Sequence, residues 1–191
     1  MKRQRASSVA VVLALWAGAV NAEPADDLPG RVDNATWIPV EARNHVTGAS
    51  GPAAVLFGIA RERGHSRPAS LRVECFDGVT AVHVDADGLR LGSFDSMWGV
   101  IEVRLSFDGG RFVAGAWQPA GDGTGLTLSA DQAVQFASGL YGKGELRLAV
   151  VRPLSVPFLF TFAVAGAEPA LRALADRCHW SAGPAISDAG R

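Results

Sequence analysis

Cysteine is scarce in this chain: Cys75 and Cys178 are the only two among 191 residues. That count rules out a multi-bridge scaffold, and with no Cys-x-x-Cys or His-x-x-x-His spacing it leaves zinc without the three or four ligands it takes. Also missing are G-x-S-x-G, H-E-x-x-H and S-x-x-K, so the common hydrolase signatures are absent. The chain holds no run of like charge, no low-complexity tract and no fixed-period repeat. A nucleic-acid partner, which calls for a concentrated basic surface, is not expected. Beyond the amino terminus no apolar run approaches the roughly 20 residues of a membrane-spanning helix. Neither a metal nor any other cofactor is expected.

The amino terminus, MKRQRASSVAVVLALWAGAVNA, reads as a secretory signal. Lys2, Arg3 and Arg5 form a basic start, Val9 to Val20 an apolar stretch, and Ala22 a small residue at which cleavage is expected. With no cysteine after the apolar stretch, a lipid anchor is not expected. Cleavage would remove three basic residues and leave 15 basic against 19 acidic side chains, a formal charge of −4. The 169 residues remaining after a 22-residue signal are enough for one domain with a real core. Residues 23–36 read as a flexible arm, 37–180 as a single β-rich domain and 181–191 as a disordered tail. The location implied is the periplasm or the exterior, where two cysteines usually form one bridge.

From Trp37 the hydrophobic pattern has mostly a period of two. "WIPVEAR" and "AAVLFGIAR" read as extended, although the second could pass for a buried helical turn by periodicity alone. In "SLRVECFDGVTAVHVDADGLRLG", Leu71, Val73 and Cys75 share one face and Arg72 and Glu74 the other; Asp77-Gly78 then turns the chain into a strand with Val82 and Val84 opposite His83. Asp87-Gly88 and Asp108-Gly109-Gly110 supply two more turns, the last after Ile101, Val103, Leu105 and Phe107 alternate with Glu102, Arg104 and Ser106. "LSADQAVQFASGLYGKG" predicts a helix over 130–141 with Ser129 and Gln132 as a capping box and Val134, Ala137, Leu140 and Tyr141 inward. Two strands follow, the second aligning Phe158, Phe160, Phe162 and Val164, and a terminal helix starts at Glu168-Pro169. The fold predicted is mainly β, an antiparallel sandwich or flattened barrel with two short α-helices and one disulfide.

The terminal "RCHW" poses the sharpest chemical question, since a thiol beside an imidazole can be a nucleophile with its base. Leu171, Leu174, Ala175 and Cys178 fall at i, i+3, i+4 and i+7, so Cys178 lies on the inward helical face, as Cys75 lies on the inward strand face. A Cys75–Cys178 bridge is therefore predicted, and it would silence a catalytic thiol. His45, His65, His83 and His179 are scattered, without ligand spacing. "DADG" at 85–88 and "GDGTG" at 121–125 read as turns, lacking the calcium register of an EF-hand and the Lys-Ser/Thr of a P-loop. Trp37, Trp98, Trp117 and Trp180 read as core or rim packing. His83 shares the outward face with Arg72 and Glu74, and with Glu102 and Arg104 if the two hairpins adjoin; Arg72, His83, Glu102 and Arg104 are the candidate binding face. No catalytic residue is assigned.

Taken in order, Cys75, Val100 or Val103 with Arg104, Trp117, Phe136 with Leu140, Phe160, Phe162, Gly166, Ala170-Leu171, Leu174, Cys178 and Trp180 form a pattern over about residues 68–180. This pattern resembles the secreted VasI or TagO proteins, accessory proteins of type VI secretion systems. The resemblance implies a non-enzymatic accessory protein of the bacterial envelope, with another envelope or secretion-apparatus protein as partner and no catalytic residues to carry over. The sequence leaves two rival readings open, an envelope-polymer hydrolase working through paired carboxylates and a secreted inhibitor or immunity-like protein. It leaves the oligomeric state open as well.

Overall fold

The computed structural model describes residues 36–43, 48–86, 99–120, 123–151 and 156–180. The signal, nearly all of the arm, the tail, His45, Trp98 and the Asp87-Gly88 turn lie outside the described residues. Nine strands and two helices follow one another: β1 (Ile38–Arg43), β2 (Ser50–Glu62), β3 (His65–Phe76), β4 (Val79–Ala86), β5 (Ile101–Phe107), β6 (Val113–Pro119), β7 (Gly125–Ser129), α1 (Ala130–Gly139), β8 (Glu145–Val150), β9 (Phe158–Ala163) and α2 (Ala167–Arg177).

All strand pairs are antiparallel, in the order β1-β2-β3-β4-β7-β6-β5-β8-β9, and β9 pairs back onto β2. Of sandwich and barrel, the chain forms the barrel, closed by eight strands with β1 as an outer flap. The closure is possible because one edge of β2 is shared. Ser50–Val55 take β1, and Ile59–Arg61 take β9 at Thr161, Phe160 and Leu159. Between the two lies Gly58, where a Cβ would meet the Phe162 ring and stand 2.5 Å from the Thr161 carbonyl oxygen. Only glycine lets the strands approach that closely.

The Asp-Gly signals hold where the residues are described. Asp77-Gly78 (φ 50° and 78°) and Asp108-Gly109 (φ 51° and 72°) are left-handed at both central positions, as two-residue hairpins require. Arg63-Gly64 does the same (φ 48° and 82°) and turns β2 into β3, a hairpin with no Asp to announce it. "AAVLFGIAR" is strand throughout, not a helical turn. β7 carries no prediction of its own, because "GLTLS" is a short run between the Gly123 turn and the helix.

Inside the barrel the inward alternates meet: Leu56, Leu71, Val73, Val82, Val84, Val103, Leu126, Leu146 and Leu148 are all fully buried. Phe158, Phe160, Phe162 and Val164 point inward as their alignment predicts, with Phe160 and Phe162 stacked at 6.4 Å. Both helices sit at one end, where β3 finishes and β4 begins. Phe136 of α1 meets Trp117 edge-on at 5.1 Å, and Leu171 and Leu174 of α2 are buried.

Ala137 and Leu140 are buried as expected, but Ala133 and Phe136 join them on the inner face while Val134 is only half-buried. The capping box does not form: Ser129 makes no side-chain cap bond. Its backbone is still paired with Ala81 in the β ladder, and Ala130 (φ 52°) swings the helix away before the hydroxyl can reach it. Tyr141 follows the helix into a half-buried position near α2. Burial raises its phenol above the usual 10.0, the Glu168 carboxylate adds to that, Arg172 opposes it and Asp176 adds a little more.

Candidate functional site

The carboxyl end of α2 answers the question posed by "RCHW". Cys178 is bonded to Cys75 with their Cα atoms 5.9 Å apart, and the cysteines lie 103 residues apart in sequence. A separation of that size sits inside the ordinary disulfide range. His179 adopts a left-handed conformation (φ 51°), and the Trp180 N–H donates to the Ala175 carbonyl at 2.9 Å. That is a Schellman ending, with histidine at the position glycine usually fills. The turn carries the exposed His179 side chain off the helix line and drops Trp180 back onto the sheet, where its indole N–H donates to Thr80 Oγ1 at 2.6 Å. Thr80 is buried and stands directly opposite Cys75 in the β3–β4 ladder. "CHW" is thus a double clamp, one covalent bond and one hydrogen bond onto adjacent cross-strand residues. Its thiol is consumed and it offers no nucleophile.

A cleft of about 340 Å³ opens beside this clamp, between the β3–β4 turn at Val79 and Thr80, the first turns of α1 at Asp131, Val134 and Gln135, and Cys178 to Trp180. Its size is at the low end for small-molecule sites. Among the described residues no three His, Cys, Asp or Glu side chains are grouped to hold a metal.

The opposite face of the same hairpin is different in kind. Arg72 and Glu74 on β3 and His83 on β4 point outward and meet: Arg72 Nε lies 3.0 Å from Glu74 Oε2, and His83 Nε2 lies 2.7 Å from Glu74 Oε1. A carboxylate only accepts, so the imidazole donates in that contact. Arg72 Nε is near its carboxylate without hydrogen-bond alignment, so that contact is an ion pair by proximity only. Glu74 is only 7% exposed, whereas 41% of the Arg72 side chain and 24% of the His83 side chain remain accessible. Ala53 and Ala81 flank Glu74 across the ladders, and their small side chains leave room for the acid to lie flat and hold both Arg72 and His83.

Of the four candidate residues, Arg72 and His83 are brought together as direct cross-strand partners. Glu102 and Arg104 are not with them. Their hairpin does not adjoin β4, because β7 and β6 intervene, and the two residues pair with each other at 3.0 Å on β5. Two contributors lie outside the four candidates, Glu74, which the sequence already set on the same outward face, and Phe57, which it did not. Glu74 proves to be the hub, a role its alternation with Arg72 and its distance to His83 across the Asp-Gly turn could have signalled. Phe57, 56% exposed, projects from the outer face of β2, and only the pairing register places it beside this group. Val55 lies opposite both Arg72 and Ile38, so Ile38, Val55, Arg72 and His83 form one row across four strands. Val40 and Phe57 stand beside that row, and Ile38, Val40 and Phe57 are the exposed large apolar side chains of β1 and β2.

No family model matches the chain, and no curated protein matches it. Among solved structures, the crystal structure of invasion associated protein B from Bartonella henselae aligns with a TM-score of 0.46 and 16% identity, covering 75% of this chain and 94% of that one.

Proposed function

We propose that this chain is a non-enzymatic binding module of the bacterial envelope, and that the outer face of β1 to β4 is its recognition surface. The observation that carries the reading is the apolar strip of Ile38, Val40 and Phe57 running directly into the Arg72–Glu74–His83 group. Protein interfaces favour an aromatic anchor and arginine over a desolvated core. The barrel interior is occupied by its own side chains, so recognition falls to the outside. Glu74 fixes the Arg72 and His83 side chains before a partner arrives, which lowers the ordering cost of binding. The cleft beside "CHW" supports the non-enzymatic reading, because among the described residues Asp131 is the one carboxylate lining it and a glycoside hydrolase of the usual kind needs two.

An envelope location fits the signal-like amino terminus, the disulfide and the absence, among the described residues, of any helix long and apolar enough to cross a membrane. A place beside a type VI secretion apparatus is the narrower reading, and it rests on the sequence resemblance. The test of the surface is photo-crosslinking in cells with benzoyl-phenylalanine at Phe57, against the same group at the exposed Asp176 of α2. A discrete protein adduct at 57 and none at 176 is expected; equal yields at both sites would remove the assignment. The narrower reading predicts loss of type VI effector delivery when the gene is deleted, and undiminished delivery would end it.

A further inference from the structure

Glu74 engages both carboxylate oxygens within the outer-face group, Oε2 beside Arg72 Nε and Oε1 on His83 Nε2, and is itself only 7% exposed. The acid is therefore closed to a partner. Arg72 Nε is enclosed as well, but Arg72 Nη1 and Nη2 and His83 Nδ1 hold no hydrogen bond among the described residues and are not enclosed. These nitrogens are what the group offers outward. Because the neutral imidazole donates its Nε2–H to Glu74, its lone pair stays on Nδ1. An acceptor thus stands beside a cationic fork.

One proton changes that combination. Arg72 and Glu74 cancel, so the three-residue group has no net charge while His83 is neutral, and a proton on Nδ1 makes it a net cation that presents donors throughout. The surroundings add one charge to the same face. On β3 the charged neighbours of His83 are Arg72, directly opposite, and Glu74; on β4 itself Asp85 follows on the same side, opposite Ser70. β7 sets the uncharged Thr127 opposite His83, and the one ionisable side chain of α1, Asp131, lies in the cleft beside Val79 and Thr80. With Asp85 as a further negative charge, an anion gains no net attraction until His83 takes its proton.

Taking the outer face of β1 to β4 as the recognition surface, we infer that the partner seats an Asp or Glu carboxylate against Arg72 Nη and His83 Nδ1, and that this contact takes up a proton at Nδ1. A carboxylate has only acceptors, so it matches the guanidinium fork but opposes a bare Nδ1 lone pair. Protonation turns that opposition into a charge-assisted hydrogen bond. A partner lysine or arginine meets like charge at Arg72, and a neutral donor satisfies Nδ1 while leaving the Arg72 fork desolvated and unpaired. The apolar strip of Ile38, Val40 and Phe57 beside the row excludes water from the contact, which strengthens it. The face is then an acid-favoured receptor for a carboxylate flanked by apolar groups.

The test uses the full chain in cells, with benzoyl-phenylalanine at Phe57, at about pH 5 and about pH 8, the bounds within which histidine changes charge. Binding is expected to be about tenfold tighter in acid, the worth of one charge-assisted hydrogen bond, and the adduct yield should rise with it. His83→Gln keeps an N–H for Glu74 but cannot take the charge, so its adduct should form at the same yield at both pH values. Ring nitrogen NMR of the purified mature protein should find Nε2 protonated and Nδ1 bare at the alkaline end. Absence of an adduct at either pH removes the recognition surface and this contact with it. An adduct that ignores pH, or that gains equally in His83→Gln, leaves the surface standing and overturns the proton-linked carboxylate, as does an Nδ1 that carries its proton at the alkaline end.

Discussion

The two faces of the β3–β4 hairpin, built from alternate residues of the same two strands, carry opposite duties. Inward, Cys75 and Thr80 receive Cys178 and Trp180 and pin the terminal helix over the barrel end. Outward, Glu74 holds Arg72 and His83 at the surface, next to Phe57. The inner contacts are buried and leave nothing for a partner, whereas the outer ones are partly wet and contribute less to the fold. Stability and recognition should therefore come apart under substitution, although the residues concerned are sequence neighbours.

The largest effect should come from Cys75→Ala with Cys178→Ala. Losing a bridge that spans 103 residues is expected to cost about 2–5 kcal/mol and lower the thermal midpoint by roughly 5–15 °C. An unchanged midpoint in a melting scan would make the covalent half of the clamp energetically idle. Trp180→Phe keeps the ring but leaves the Thr80 hydroxyl without its donor, at a cost of about 1–3 kcal/mol; a denaturant titration measures it. On the outer face, Arg72→Ala or His83→Ala takes one of two partners from the nearly buried Glu74 and should cost about 1–2 kcal/mol, less than loss of the bridge. Both should still reduce the adduct formed from residue 57. A large stability loss there would erase the contrast between the faces.

The smallest effect concerns Tyr141. Its phenol ionises above 10.0 in the folded chain, chiefly through burial, so the unfolded chain gives up the proton first as pH rises. Stability should be complete below pH 10 and fall as pH climbs through the folded value, a decline that Tyr141→Phe would flatten in an alkaline melting series.

Much of this was legible because a period of two fixes faces. Cys75, Val82, Phe160 and Phe162 could be turned inward by counting, and the period of the terminal helix turned Cys178 to meet Cys75. Periodicity does not say which strands are neighbours. Glu102 and Arg104 were therefore grouped with His83, although β6 and β7 separate them. For the same reason Phe57 was overlooked, because its place beside Arg72 depends on the β2–β3 register. Backbone direction was equally hidden. The left-handed Ala130 uncoupled Ser129 from its helix, and the left-handed His179 delivered Trp180 to Thr80, and neither residue is a glycine that would have marked the turn.

The central claim is that the outward alternates of β2 to β4 bind while the inward ones hold the fold. Its most direct measurement is the adduct yield from benzoyl-phenylalanine at Phe57 in an Arg72→Ser/His83→Ser background, in cells. The account predicts that the adduct is lost while the protein accumulates at its normal level, and an adduct of undiminished yield would contradict it.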